Sequence, residues 1–133
     1  MFALATWTVL IMTLLAAARL RAGFKREISP ADFRVGESQR VPAHVSIPNR
    51  NYMNLLEIPI LFYVVCLLLY ATGQQGTMLT GLAWSYVILR VLHSLVHLTC
   101  NNVMHRLTVF ALGNFVLIAM WVLAGLGLGG TAA

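Results

Sequence analysis

Four long apolar stretches constrain the fold of this chain more than any other feature. They cover about residues 2–18, 53–72, 78–100 and 107–128 of a 133-residue sequence. Each is close to the roughly 20 residues that an α-helix needs to cross about 30 Å of hydrocarbon. Because lipid cannot pair with backbone polar groups, such stretches cross it as helices. The sequence therefore predicts an all-α membrane protein, a four-transmembrane-helix bundle that forms one domain over residues 1–133.

The composition excludes a soluble or a disordered chain. Hydrophobic residues make up 59% of the sequence and charged residues only 10%, whereas an ordinary soluble domain carries about 25% charged residues. A soluble domain of this size could not hide so much apolar surface in its own core. The abundance of Leu, Val and Phe together with the low charge also argues against disorder.

The basic residues are concentrated in one inter-span segment, which indicates the topology. Of the nine Lys and Arg residues, seven lie between positions 19 and 50. Basic loops next to membrane spans are normally retained in the cytoplasm, so we expect loops 19–50 and 101–106 to be cytoplasmic and both tails to lie outside. A basic loop between two spans also accounts for the net positive charge without nucleic acid as a partner.

Two polar stripes enter the membrane from the same side. Arg50, Asn54 and Glu57 follow one another at spacings of four and three, which places them on one face of the second span. The third span carries a second stripe on one face, consisting of Arg90, His93, His97 and Asn101. Ionisable groups within apolar helices cost several kcal/mol unless paired or hydrated, so they are candidates for function. We expect the stripes to line one water-accessible chamber, with Glu57 and Arg90 as a buried ion pair.

Two other interpretations use the same residues. The polar groups can simply hold the helices together, since polar contacts between membrane helices contribute about 1 kcal/mol each. Alternatively, His93 and His97 lie one turn apart and can reach one metal ion, with Glu57 as a third ligand. The charge of Arg90, one turn from His93, opposes a metal cation at this place.

Taken in order, these elements resemble the MAPEG family, the membrane-associated proteins of eicosanoid and glutathione metabolism. The similarity runs through Arg19-Leu20-Arg21, Ser29-Pro30-Ala31-Asp32-Phe33-Arg34, Arg50-x3-Asn54-Leu55-Leu56-Glu57 with Pro59, Arg90-x2-His93-x3-His97, and Arg106. The resemblance implies a homotrimer of four-helix protomers, with the co-substrate glutathione held between neighbouring subunits near the cytoplasmic face. Short loops and compact length are similar to bacterial members, which implies a bacterial inner membrane.

The resemblance also implies a role for each polar residue of the stripes. The residues implied to contact glutathione, or to support its pocket, are Arg19, Arg50, Asn54, Glu57, Arg90, His93 and His97. Arg106 matches the arginine assigned to thiol activation, and a guanidinium makes a thiol a better nucleophile by lowering its pKa. The implied activity is a glutathione-dependent, or related thiol-dependent, transferase or peroxidase acting on small lipophilic electrophiles from the bilayer.

The sequence departs from the family pattern at several positions. Met53 stands where glutathione-using members often carry a second arginine, and His97 stands where they often carry tyrosine. Leu107 and Phe110 stand where the best-known prostaglandin synthases carry hydroxyl groups. Two alternatives to the thiol-dependent enzyme therefore remain. One is a non-enzymatic MAPEG-fold subunit or assembly factor of a larger membrane complex, and the other is the metal-binding protein described above.

Overall fold

Four apolar spans form the structure, as the sequence predicts. The computed structural model describes residues 1–74 and 76–131, so residues 75, 132 and 133 of the predicted domain lie outside the described residues. The described helices are α1 (Phe2–Phe24), α2 (Ala43–Leu56), α3 (Pro59–Ala71), α4 (Thr77–Leu98) and α5 (Val103–Thr131). Helices α2 and α3 follow one another in a single apolar segment, Ala43–Ala71, so the membrane-length spans number four. The chain is an integral, multi-pass, all-α membrane protein.

The helices extend further at one end of the bundle than the sequence predicts. Helix α1 continues to Phe24 rather than ending near residue 18, and α2 begins at Ala43 rather than near residue 53. These extensions pack on each other, with Ala22 buried against Val41 and Val45. Basic residues mark where the chain leaves the apolar spans, but a helix can continue into water beyond that boundary. We call this end, which holds loop 25–42 and turn 99–102, the basic end.

A proline divides the second span into α2 and α3. Pro59 has no backbone N–H, and its ring is incompatible with a preceding helical turn. Helix α2 therefore ends at Leu56, and Glu57 takes a non-helical ψ of −86°. Helix α3 begins at Pro59, where the missing N–H is tolerated because the first turn has no intrahelical acceptor for it. Glu57 is consequently placed at a break in the helix, with an exposed side chain.

The packed interior is apolar and aromatic towards the end opposite the basic one. Phe62 of α3 stacks on Tyr86 of α4 with ring centroids 4.5 Å apart, and both side chains are fully buried. Many large hydrophobic side chains point outward instead, including Phe115 and Leu126 of α5. An apolar exterior of this kind is suited to contact with lipid or with other membrane helices. The polar groups of the interior lie closer to the basic end.

Asp32 organises the loop that joins α1 to α2. Its carboxylate accepts hydrogen bonds from the Ser29 backbone N–H at 2.9 Å, the Ser29 hydroxyl at 2.9 Å and the Ser38 hydroxyl at 2.8 Å. The bond from the Ser29 backbone, followed by those from the two hydroxyls, lowers the pKa of Asp32 below its ordinary value. The loop is therefore held most firmly when Asp32 is ionised.

We expect the order of this loop to depend on pH through Asp32. Because the pKa of Asp32 is lower in the folded loop, its stabilisation is complete above the pKa of the unfolded carboxyl and is lost as the pH falls through the folded pKa. Hydrogen exchange at the Ser29 amide should report full protection at neutral pH and a loss in acid. Asp32→Asn should weaken protection at neutral pH and remove this acid dependence. Protection that is unchanged in the variant would contradict the assignment.

Candidate functional site

The polar residues predicted from the sequence gather at the basic end of the bundle. Helix α1 packs along α2, α2 contacts α4, and α4 pairs closely with α5. Helices α1 and α4 finish at this end, while α2 and α5 begin there. Contributions from four helices therefore meet at this end, although they divide into an interior set, an outward-facing set and a separate network around Arg19.

Arg90 of α4 is the central member of the interior set. Its side chain is 1% exposed, and its Nε donates to the Tyr86 hydroxyl at 3.0 Å. Its Nη2 donates to the Asn114 side-chain oxygen of α5 at 2.9 Å. The guanidinium also lies over the rings of Tyr86 and Phe110, at 5.2 and 4.9 Å from their centroids. Cation–π contacts and neutral dipoles thus surround a buried positive charge.

The expected ion pair between Glu57 and Arg90 is not formed within the protomer. Arg90 is buried in contact with α5, whereas Glu57 is exposed at the α2–α3 break. The physical reason is the proline break, which ends the regular α2 face one residue before Glu57. The polar partner that the sequence analysis missed is Asn114, a lone amide in an otherwise apolar span. Its isolation in α5 was the available signal.

Helices α2 and α4 are joined by a hydrogen bond between two residues that belong to neither predicted stripe. Asn51 is fully buried, and its Nδ2 donates to the Ser94 hydroxyl at 2.7 Å. Asn51 lies beside Arg50 in sequence, so it lies about 100° around the helix from the predicted stripe. This places Asn51 against α4 and leaves Arg50 on the exposed side. The two stripes therefore face each other only in part within the protomer.

A polar network closes the interior set at the basic end. His97 is 1% exposed, and its Nδ1 lies 3.0 Å from the Asn101 side-chain oxygen. The same oxygen accepts a hydrogen bond from Arg106 Nη1 at 2.8 Å. His93 is also buried, with its ring centroid 6.2 Å from that of His97 and 5.6 Å from that of Phe110. The structure thus brings together three predicted residues, His93, His97 and Arg106, through α4 and α5.

Arg19 lies in a separate network between α1, α2 and the loop. Its Nη2 donates to the Asn49 side-chain oxygen at 3.0 Å, and Asn49 Nδ2 donates to a Glu37 carboxylate oxygen at 2.6 Å. The Arg19 guanidinium lies over the Phe33 ring, 4.7 Å from its centroid. Two loop residues therefore hold this network in place. Phe33 contacts Arg19 directly, and Glu37 holds Asn49, which accepts the Arg19 hydrogen bond.

The outward-facing set consists of Arg50, Asn54 and Glu57. Arg50 and Glu57 are exposed, and Asn54 is half-buried. Counting about 20 residues back from the end of α3 places Glu57 roughly 7 Å inside the apolar layer. A carboxylate that faces hydrocarbon at that depth costs several kcal/mol. A polar partner at this face of the protomer would offset that cost.

Several buried nitrogen atoms of the arginines have no hydrogen-bond acceptor among the described residues. They are Arg19 Nε, Arg90 Nη1 and Arg106 Nε. His97 Nε2 is buried without a partner as well. Since buried polar atoms are nearly always hydrogen-bonded, such groups call for an explanation. A surplus of cationic donors is what an anionic ligand with several acceptor oxygens would satisfy.

The metal interpretation finds no support in the side-chain geometry. The described residues contain no group of three or more His, Cys, Asp or Glu side chains that could hold a metal ion. Glu57 is exposed on α2, while His93 and His97 are buried on α4. The three proposed ligands therefore do not converge.

Comparison with known families decides the relationship of this chain. The sequence model of the MAPEG family matches residues 1–126. The chain belongs to the MAPEG family. Searches of curated proteins and of solved structures each found no match. As a MAPEG member, the chain belongs to a family of four-helix membrane proteins that includes glutathione-dependent transferases and peroxidases and is typically trimeric.

A mainly apolar cavity of about 470 Å³ lies away from the polar residues of this MAPEG protomer. Its lining includes Phe62, Cys66, Trp84 and Met120. None of the eight predicted site residues contributes to the lining. The candidate site is therefore defined by the polar residues at the basic end rather than by this cavity.

We expect the Asn51–Ser94 contact to couple α2 to α4. Asn51→Ala and Ser94→Ala should each destabilise the folded protein, and the double variant should show a coupling energy of about 0.6 kcal/mol. The free energy of unfolding in mixed micelles measures this cycle. Ser85→Ala is a matched control, because Ser85 is exposed on α4 and bonds to Gly81 of its own helix. Strictly additive effects would show that the hydrogen bond is not formed.

We expect Asn114 to stabilise the buried charge of Arg90. Asn114→Leu removes an acceptor from a guanidinium, so it should lower the free energy of unfolding by about 1.5–3 kcal/mol. Replacing both residues, as Arg90→Met with Asn114→Leu, should recover part of this loss because no unpaired charge remains. The same micellar unfolding assay applies. A single variant as stable as the parent would contradict the assignment.

Proposed function

We propose that this MAPEG member is a glutathione-dependent, or related thiol-dependent, transferase or peroxidase that acts on small lipophilic electrophiles. The main support is the surplus of unpaired arginine donors at the basic end, on Arg19, Arg90 and Arg106. Glutathione carries two carboxylates and one ammonium group near neutral pH. Arginines and a single glutamate are the complementary set, with Glu57 facing the ammonium.

The outward-facing set supports a homotrimer in which neighbouring subunits complete each site. Arg50 and Glu57 are exposed on the protomer, and counting residues along the span puts Glu57 within the apolar layer. A neighbouring subunit with a bound peptide provides a polar cover that lipid cannot provide. In this proposal, glutathione lies between the exposed α2 face of one protomer and a second subunit. We also infer that the basic end faces the cytoplasm of a bacterial inner membrane, because basic loops are retained there.

Arg106 is the residue proposed to activate the thiol. An ordinary thiol has a pKa of about 8.5, and a neighbouring guanidinium lowers that value by stabilising the thiolate. The thiolate sulfur then forms a bond to the electrophilic carbon, and the leaving group departs with its bonding electron pair. The lipophilic substrate reaches this sulfur from the bilayer, where it is concentrated.

The proposal predicts glutathione binding and turnover by the purified protein. Glutathione at millimolar concentration should raise the Tm of detergent-purified protein, and a chlorodinitrobenzene-type electrophile should be conjugated. Native mass spectrometry should show a trimer. Absence of both a thermal shift and turnover would contradict the enzyme and favour a non-enzymatic subunit or assembly factor of a larger complex. The non-enzymatic alternative is supported by Met53, which lies on the exposed face of α2. Glutathione-using family members often carry a second arginine at this position.

Substitutions of arginine should separate binding from activation. Arg106→Leu should lower kcat about 100-fold, as expected for loss of transition-state charge stabilisation, while the Kd for glutathione changes little. Arg19→Gln should instead weaken glutathione binding with a smaller effect on kcat. Arg21→Gln is the matched control, because Arg21 is exposed on the same helix. Equal losses of binding and turnover in Arg106→Leu would assign Arg106 to anchoring rather than activation.

A further inference from the structure

The contact between Asn101 and Arg106 determines which nitrogen of His97 carries the proton. A guanidinium can only donate hydrogen bonds, so the Asn101 atom that faces Arg106 Nη1 is the side-chain oxygen. This oxygen also lies 3.0 Å from His97 Nδ1. Two acceptors would repel at that distance, so Nδ1 is protonated. In the neutral ring, this leaves the lone pair on Nε2.

The lone pair of His97 Nε2 is buried without a donor among the described residues. Arg106 Nε is a buried donor without an acceptor in the same network. One unpaired acceptor and one unpaired donor thus belong to side chains that share a single amide oxygen. A thiol requires an acceptor for its proton, and the thiolate left behind requires a donor. The acceptor on His97 suits the thiol form, and the donor on Arg106 suits the thiolate form.

The backbone at Asn101 supports a specific requirement for this residue. Asn101 has φ +46°, in the left-handed region that asparagine tolerates better than most residues. The turn therefore places an amide oxygen between α4 and α5, where it contacts both His97 and Arg106. A glycine would suit the same backbone but would provide no oxygen. Asn101→Gly therefore tests the hydrogen-bonding role of the Asn101 side chain while the backbone conformation is kept.

We propose that His97 Nε2 accepts the proton of the thiol, and that Asn101 is the positioning residue that holds the ring in the required tautomer. The inference rests on the proposed function and deepens it. The S–H bond breaks, its electron pair remains on sulfur opposite Arg106, and the proton forms an N–H bond at Nε2. The sulfur then attacks the electrophile, a leaving group departs with its electron pair, and the imidazolium releases the proton to water.

The tautomer is tested first, without any thiol present. Nitrogen NMR of protein labelled in its histidine rings should show protonated Nδ1 and unprotonated Nε2 for His97 in the parent. Asn101→Gly should allow a mixture of tautomers, because the shared oxygen is removed while the backbone conformation is kept. Asn101→Asp should retain protonated Nδ1, since a carboxylate accepts from both neighbours. A parent ring protonated at Nε2 alone would overturn the inference.

The proton transfer is tested by the ultraviolet absorbance of the thiolate of bound glutathione, measured against pH. The charged and titratable groups that act on the His97 ring are Arg106 from α5, Arg50 from α2 and His93 from α4. With Arg106, Arg50 and His93 unchanged, His97→Gln should leave the Kd for glutathione within about threefold of the parent value. It should lower kcat about 100-fold, a loss typical of a missing general base. The bound thiol should then ionise at higher pH.

The controls distinguish a catalytic role from a structural one. His105→Gln changes an exposed histidine at the same end and should match the parent in every measurement. If His97→Gln fails to fold, the two Asn101 variants test the proposal instead. Asn101→Gly should lower thiolate formation, and Asn101→Asp should preserve it. Equal thiolate formation in parent and His97→Gln would overturn only the role of His97. A parent that binds and ionises no glutathione would overturn the proposed function, and this inference with it.

Discussion

A guanidinium buried among apolar helices is the constraint on which the rest of this bundle depends. A charge taken out of water costs several kcal/mol unless polar partners replace its hydration. Arg90 has no carboxylate partner among the described residues, and it is surrounded instead by the Tyr86 hydroxyl, the Asn114 amide and two aromatic faces. These partners fix α4 against α5. Because His97 and Arg106 lie further along the same two helices, the contacts that hold Arg90 also set the geometry of the proposed thiol site.

The remaining charges follow from a second constraint, since a protomer cannot turn all its polar faces inward. Asn51 occupies the side of α2 that contacts α4, so the neighbouring Arg50 is directed away from it. The break at Pro59 then leaves Glu57 on the exposed surface as well. These are the positions that a subunit of a larger assembly would offer to its neighbour. The division into an inner and an outer set agrees with the proposed site, which neighbouring subunits would share.

The sequence alone predicted the four spans and which polar residues of α4 share a face. It did not predict which side chains of other helices contact them. Apolar stretches of about 20 residues cross lipid as helices, so these stretches alone predicted four spans. Spacing placed His93 and His97 on one buried face of α4, which the structure confirms. The pairing of Glu57 with Arg90 was wrong because spacing assumes a regular helix, and Pro59 ends that regularity. Asn51 was missed because one residue of offset moves a side chain by about 100°. The pairing of Asn114 with Arg90 was missed because a single polar residue has no periodicity that would indicate its partner.

The departures from the family pattern become coherent when the polar network is considered as a unit. Leu107 supplies no hydroxyl beside Arg106, so in this chain the thiol would need another acceptor for its proton. His97 provides a buried nitrogen lone pair in place of a phenol, and Asn101 joins its ring to Arg106 through one oxygen. A tyrosine hydroxyl can both donate and accept, whereas this imidazole is held so that the free nitrogen only accepts. In the proposed mechanism, a histidine at this position would add proton transfer to hydrogen bonding, and it would supply the acceptor that the missing hydroxyl does not provide.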